Sequence, residues 1–320
     1  MLSVAELLAR PAAAALPLAG STPGVFELLL SDMTTGGNII WATEDYAHLG
    51  AAFAADQPIT VESVTGLTAR VIRPRVEKSK TRRGGRAKDR AEVFTPSWLC
   101  NEQNNLVDEA WFGRSGAFNT ATRRGWRTTA STVEFDAEGM RTWQRYVDER
   151  RLEAACGEAP YLVSRYDATT GEPIALERRI GLLDRKLRVV TERCHDEGEW
   201  LRWAERAFQA TYGFEFQGDS LLLARENLLA TYVDHTRHAL GRLPDERELT
   251  AVAEVIAWNI WQMDGLTCAI PLKHIRSTVS ELTLFDPHGD DDRLCRVRDW
   301  RTGQTVEFRS LLKGGVNGGR

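Results

Sequence analysis

The sequence predicts an α/β fold in which strands alternate with amphipathic helices, preceded by a small mixed α+β region. Three observations carry this. Apolar or alternating runs end in turns bearing glycine or an acid at residues 155–157, 215–218 and 264–265. The stretches between them, 199–210, 221–239 and 245–254, hold apolar residues at helical spacing. A composition of 42% hydrophobic and 27% charged over 320 residues is that of a globular chain, long enough for one large domain or two smaller ones.

Residues 1–75 form the small mixed region. An apolar run covers 26–30, and strands are expected over 38–42 and 59–65, with turns at Gly36-Gly37 and Thr65-Gly66. Residues 76–90 are a basic linker. From Arg70 to Arg90 there are ten Lys/Arg against two Asp/Glu, with Arg82, Arg83, Arg86 and Lys88 at the centre. Such a run either contacts phosphates with salt-dependent affinity or forms a solvated connection.

A main domain is expected over 91–312, and 313–320 reads as a frayed tail. A helix follows Pro96, capped by Ser97, with Trp98, Leu99, Leu106, Val107 and Ala110 on its apolar face. Its amides, Asn101, Gln103, Asn104 and Asn105, would face solvent or a substrate. Trp111, Phe112 and Trp126 interleave with Arg114, Arg123, Arg124 and Arg127, which suits either base stacking or ordinary core packing. A helix at 143–147 leads to a strand that ends in Ala155-Cys156-Gly157, where a glycine without Cβ permits close approach of a ligand. Residues 166–200 are longer than one crossover needs and are expected to be an insertion, with 178–190 a strand or helix at its rim.

Helix 199–210 turns Leu201, Ala204, Ala207 and Phe208 inward. The next strand ends at Glu215, and Gly218-Asp219-Ser220 forms the turn and cap of helix 221–239. An acid at such a strand end is where nucleotide-binding α/β folds hold ribose hydroxyls. After helix 245–254, the apolar run 255–263 is expected to be a strand stopping at Asp264-Gly265, with Asp264 able to accept from an exocyclic amine. Residues 294–300 make a further strand, followed by a turn at Arg301-Thr302-Gly303.

The five cysteines contain no Cys-x-x-Cys pair, which disfavours a metal site or a disulfide framework and suits a reducing cytoplasm. No apolar run approaches a membrane span, and the amino end carries no basic leader. No Gly-x-Gly-x-x-Gly follows a strand, so a dinucleotide-dependent dehydrogenase is disfavoured.

The order Phe94-Thr95-Pro96, then Ala155-Cys156-Gly157, then Glu215 followed by Ala224-Arg225-Glu226-Asn227-Leu228-Leu229, then Asp264-Gly265 resembles the cofactor half of DNA adenine-N6 methyltransferases. It is most similar to the modification subunits of restriction–modification systems, over residues 91–266. The resemblance implies a Rossmann-like methyltransferase sheet with flanking helices and S-adenosylmethionine as cofactor. Phe94, Thr95, Pro96, Ala155, Cys156 and Gly157 would contact it, Glu215 would hold the ribose and Asp264 the adenine. DNA would be the partner, and the basic run would lie where a strand enters. A companion restriction, specificity or second methyltransferase subunit is also implied.

Two departures stand out. The family's second glycine is Ala159 here, with Glu158 in the small polar position, and no Pro-Pro occurs anywhere. The family's Pro-Pro motif aims the target amine and stacks the flipped base. Asp299-Trp300 is the candidate substitute, with Asp286-Pro287 a lesser one; an ordinary hairpin is the other reading of 294–308. The alternative function is a catalytically inactive, methyltransferase-like component that binds DNA or cofactor. The donor-site reading requires the turns at 156–157, 215 and 264 to share one edge of one sheet.

Overall fold

The computed structural model describes residues 24–65, 68, 71–77, 95–136, 139–272 and 294–314. The first half of these contains α1 (Val25–Leu30), α2 (Val61–Val64), α3 (Ser97–Phe112), the hairpin β1 (Asn119–Thr122) and β2 (Gly125–Thr128), and α4 (Trp143–Asp148). Then come β3 (Arg151–Ala154), α5 (Leu182–Arg193), α6 (Glu197–Gln209), β4 (Thr211–Glu215), α7 (Gly218–Leu240), α8 (Glu246–Asn259) and β5 (Ile260–Gln262). The hairpin β6 (Arg296–Asp299) and β7 (Gln304–Glu307) and helix α9 (Phe308–Gly314) complete the set.

β3, β4 and β5 form a parallel sheet in that spatial order, with Arg151 opposite Thr211 and Gly213 opposite Ile260. Helical crossovers join them, as parallel pairing demands. Both faces are covered unequally. One carries Glu153, Gly213, Glu215 and Ile260 toward the main core, which includes Leu183, Leu187 and Val190 of α5, Ala204 and Phe208 of α6, and Leu228 and Leu229 of α7. Full burial of each such leucine stabilises by about 1.5–3 kcal/mol. The other face presents Tyr212, Phe214 and Trp261 to a smaller cluster with Val297, Val306 and Phe308. No helix among the described residues is long and apolar enough to cross a membrane.

Several elements depart from expectation for identifiable reasons. The run 255–263 is mostly helix. The capping box of Asp245 and Glu248 starts α8, and Leu249, Val252, Ala253 and Ile256 continue its buried face. Asn259 then ends it by donating to the carbonyls of Phe208, Gln209 and Thr211, leaving three residues for β5. Thr60 and Ser63 cap one another, so 61–64 is helix α2 and not strand, while 26–30 lies within helix α1 and 38–42 makes only isolated bridges.

Helix α3 is inverted. Asn101, Asn104 and Asp108 are buried, whereas Leu106 is 65% exposed. The cause is Arg185 of α5, fully buried, which donates to Asp108 at 2.5 Å and to Asn101 and Asn105. Tyr146 donates to the other Asp108 oxygen. A buried guanidinium requires such partners, and they displace the apolar residues from that face. The same pairing places α5 as a buried helix in the crossover between β3 and β4, so 182–193 is helix at the centre of the fold and not an element at its rim. Ser97 is the first residue of α3, with Pro96 as its N-cap, and Gln217 caps α7 ahead of Gly218. Trp111 and Phe112 pack with Phe118, Phe135 and Tyr146 in the core, which is the ordinary reading of those aromatics.

Candidate functional site at the carboxyl edge of the sheet

Three parallel strands end on the same edge, and their last residues meet there. The Gly157 N–H donates to Glu215 Oε2 at 2.8 Å, spanning the ends of β3 and β4. The Met263 N–H donates to the Glu215 carbonyl at 3.0 Å, which sets Asp264 beside the end of β4. The turns at 156–157, 215 and 264 therefore share one edge.

The turn after β3 is sharply bent. Ala155, Gly157 and Ala159 all take positive φ, at 49°, 54° and 62°. For Gly157 this is unstrained; for the two alanines it is not, and surrounding contacts must hold them. Two buried carboxylates do so. Glu215 takes Gly157 N–H, and Glu153 accepts from Tyr161 N–H and Leu162 N–H. Burial pushes both carboxyls above their usual range, while those same backbone donors pull the other way. Ala159 is held in the left-handed position by its N–H donating to the Cys156 carbonyl at 2.7 Å and by its carbonyl accepting from Leu162 and Val163 N–H. Cys156 is buried against Gly213, and burial raises its thiol well above the usual value, so it is a packing residue and not a nucleophile. Glu158 is buried and accepts from Tyr166 Oη at 2.6 Å.

Glu215 also accepts from Gln217 N–H at 3.1 Å, through Oε1. The two carboxylate oxygens are thus each held by a backbone donor, one from the β3 turn and one from the turn that follows β4. Asp264 is partly buried; its Oδ1 accepts from Leu266 N–H at 2.8 Å and Thr267 N–H at 3.4 Å, closing its own turn.

The segment before α3 reaches the same neighbourhood. Asp167, in the loop following the β3 turn, accepts from Ser97 N–H at 2.7 Å. Asn104 donates to the carbonyls of Tyr161 and Ile180, both at 3.0 Å. Thr95 and Pro96 are thereby tied to the loop that contains Gly157. Phe94 lies outside the described residues, as do Arg82, Arg83, Arg86, Lys88 and Asp286.

The amino-terminal region forms a further wall. Gly218 N–H donates to the Trp41 carbonyl, and a Cβ on Gly218 would stand 2.0 Å from the Ile40 carbonyl oxygen. Tyr46 donates to buried Asp219 at 2.8 Å. The Gln262 side-chain amide accepts from Ile40 N–H and donates to the Ile40 and Phe216 carbonyls. Sequence reasoning missed this brace; an amide at a strand end carries no distinctive pattern.

Asp299 and Trp300 are not brought to this edge. Asp299 pairs with Arg150, the residue before β3, and Trp300 donates to Asn259, the residue before β5. Both contacts lie at the amino edge, the opposite end of the sheet. Asp299 also caps the hairpin turn by accepting from Arg301 N–H. The hairpin reading of 294–308 is the one realised, and these two residues have no geometric link to Gly157 or Glu215. Among the described residues no group of three or more His, Cys, Asp or Glu could hold a metal ion.

Comparison of the chain with protein-family models, with curated proteins and with solved structures returns no match.

Proposed function

We propose that the carboxyl edge of this sheet binds S-adenosylmethionine and that the chain works in adenine-N6 methylation of DNA, within a restriction–modification or phage system. The observation that carries the reading is the contact of Gly157 N–H with Glu215 Oε2, which joins a left-handed glycine turn to a strand-end acid on adjacent parallel strands. In nucleotide-binding α/β folds this is where a ribose and its 5′ substituent lie. Glu215 would accept from the ribose hydroxyls, the 155–157 turn would line the methionine end together with Thr95 and Pro96, and Asp264 would meet the adenine amine through Oδ2. Phe94 and the basic run at Arg82, Arg83, Arg86 and Lys88 enter this reading from the sequence alone.

The cofactor supplies an electrophilic methyl group; the chain supplies position and exclusion of water. Acceptors for the target amine have no candidate among these residues, since Asp299 and Trp300 lie at the other end of the sheet. Transfer on this reading draws those acceptors from a companion subunit. The second reading, a cofactor- or DNA-binding component without transferase activity, is favoured by that same displacement.

Isothermal titration with S-adenosylmethionine and with its demethylated product tests the first step. Binding by the wild type that Glu215→Ala abolishes supports the site; no heat with either compound overturns it. Incorporation of labelled methyl groups into DNA then separates enzyme from binder.

A further inference from the structure

The two edges of the parallel sheet are finished differently. Along β5 the outward carbonyls are occupied: Ile260 accepts from Arg225 Nε at 2.7 Å and Gln262 accepts from the Cys295 thiol at 3.3 Å. The Gln262 side chain beyond them holds Ile40. Along β3 nothing comparable exists among the described residues. Arg151 N–H turns toward β4, where it meets the Ala210 carbonyl, so by alternation the N–H and C=O of Leu152 and Ala154 point outward. No described residue pairs with them. Both residues are exposed, Leu152 at 48%. Parallel sheets are ordinarily enclosed, and an uncovered strand margin is a template for another strand.

The side chains beside this margin are apolar as well. Leu152 lines a groove of about 350 Å³ together with Tyr212, Val306, Leu311 and Leu312. Leu311 and Leu312 of α9 are 49% and 56% exposed. Arg150 stands at the amino end of the groove, paired with Asp299.

We propose that the β3 margin is a self-association surface through which two copies of this chain join their sheets by antiparallel β3–β3 pairing about a two-fold axis. Three features select a second copy as the occupant. The outward groups are self-complementary: with Glu153 on the axis, Leu152 of each copy faces Ala154 of the other, and each pair exchanges N–H and C=O. The exposed leucines of strand and helix lie along one groove, so the axis brings each copy's apolar strip against its counterpart. Among the described residues the parallel sheet has one open margin, because Arg225, Cys295 and the Ile40–Gln262 clasp finish the other, so pairing ends at two copies and does not propagate. The inference does not depend on the methyl-donor reading.

Sedimentation equilibrium and light scattering across about 1–100 µM test it. The expected result is a particle of twice the 35.9 kDa chain mass. Leu152→Glu and, separately, Leu311→Glu should each weaken association at least about tenfold. Both side chains are about half exposed, so unchanged circular dichroism should accompany the loss. Hydrogen exchange at the Leu152 and Ala154 amides should be slow in the wild-type dimer and fast in the variants. A wild type that stays monomeric across the range overturns the proposal, including the case in which a different polypeptide protects the same amides. A dimer that neither substitution weakens overturns it too, since its interface lies elsewhere.

Discussion

Removing the Glu215 carboxylate should cost both stability and ligand affinity, by amounts the contacts allow to be worked out. In Glu215→Ala the N–H groups of Gly157 and Gln217 lose acceptors at 2.8 and 3.1 Å. Each buried donor left without a partner costs about 1–3 kcal/mol. Against this, the variant no longer has to desolvate a carboxylate whose pKa burial has raised. The net expectation is a loss of about 2–4 kcal/mol, read as a lower midpoint in urea with an unchanged slope. Affinity for S-adenosylmethionine should fall by about 3 kcal/mol, near a hundredfold, because two hydroxyls lose a charged acceptor. Glu215→Gln keeps an acceptor for one N–H and should be intermediate in both measurements. A stability loss below about 0.5 kcal/mol would refute the account of the turn. Wild-type affinity in Glu215→Ala would refute the assignment of the ribose.

Asp108→Ala should destabilise by about 3–5 kcal/mol in chemical unfolding, because it strands the buried Arg185 charge; a much smaller loss would mean that Asn101 and Asn105 suffice. Gly218→Ala should cost about 1–3 kcal/mol, since its Cβ meets the Ile40 carbonyl at 2.0 Å, and amide exchange at Ile40 and Trp41 should quicken. The Glu153 and Glu215 carboxyls have folded-state pKa values above their unfolded ones. The stability they contribute is fully present below the unfolded value and is lost as pH rises through the folded values, so Glu153→Gln and Glu215→Gln should each flatten the decline on the alkaline side of the ordinary glutamate range. Asp167 behaves oppositely. Burial raises its carboxyl, but hydrogen bonds from Thr169 and Ser97 prevail and hold it at about 2. Its contribution is present above the unfolded value near 3.8 and lost as pH falls through about 2, and Asp167→Asn should remove that acid limb.

The alternating strand and helix order was legible because it rests on local signals. The aromatic alternation before Glu215, the amphipathic spacing of 199–210, and Gly157 at a positive-φ turn each declare themselves within a few residues. What misled was burial of charge. Asp184, Arg185 and Lys186 are consecutive, ionisable and buried, and nothing in their local pattern points to the partners that satisfy them: Asp108, Ser164 and the carbonyls of Glu149 and Ala210. The same network turned α3 around, because side-chain partners 77 or more residues away decide which face goes inward. At the site, the strand-end acid and the glycine turn were visible in the sequence. Their direct contact was not, nor was the role of Glu153, which looks like any polar residue of a half-buried strand.

Gln262 has a consequence for how the chain can be cut. Its amide imitates one rung of a missing neighbouring strand, with donor and acceptor both spent on Ile40. Truncating the region around Ile40 would leave that rung bare and weaken the finish of the far margin. Arg225 and Cys295 would still hold the Ile260 and Gln262 carbonyls, so the border would be loosened and not fully opened, and assemblies larger than two copies become the outcome to watch for in shortened versions of the protein.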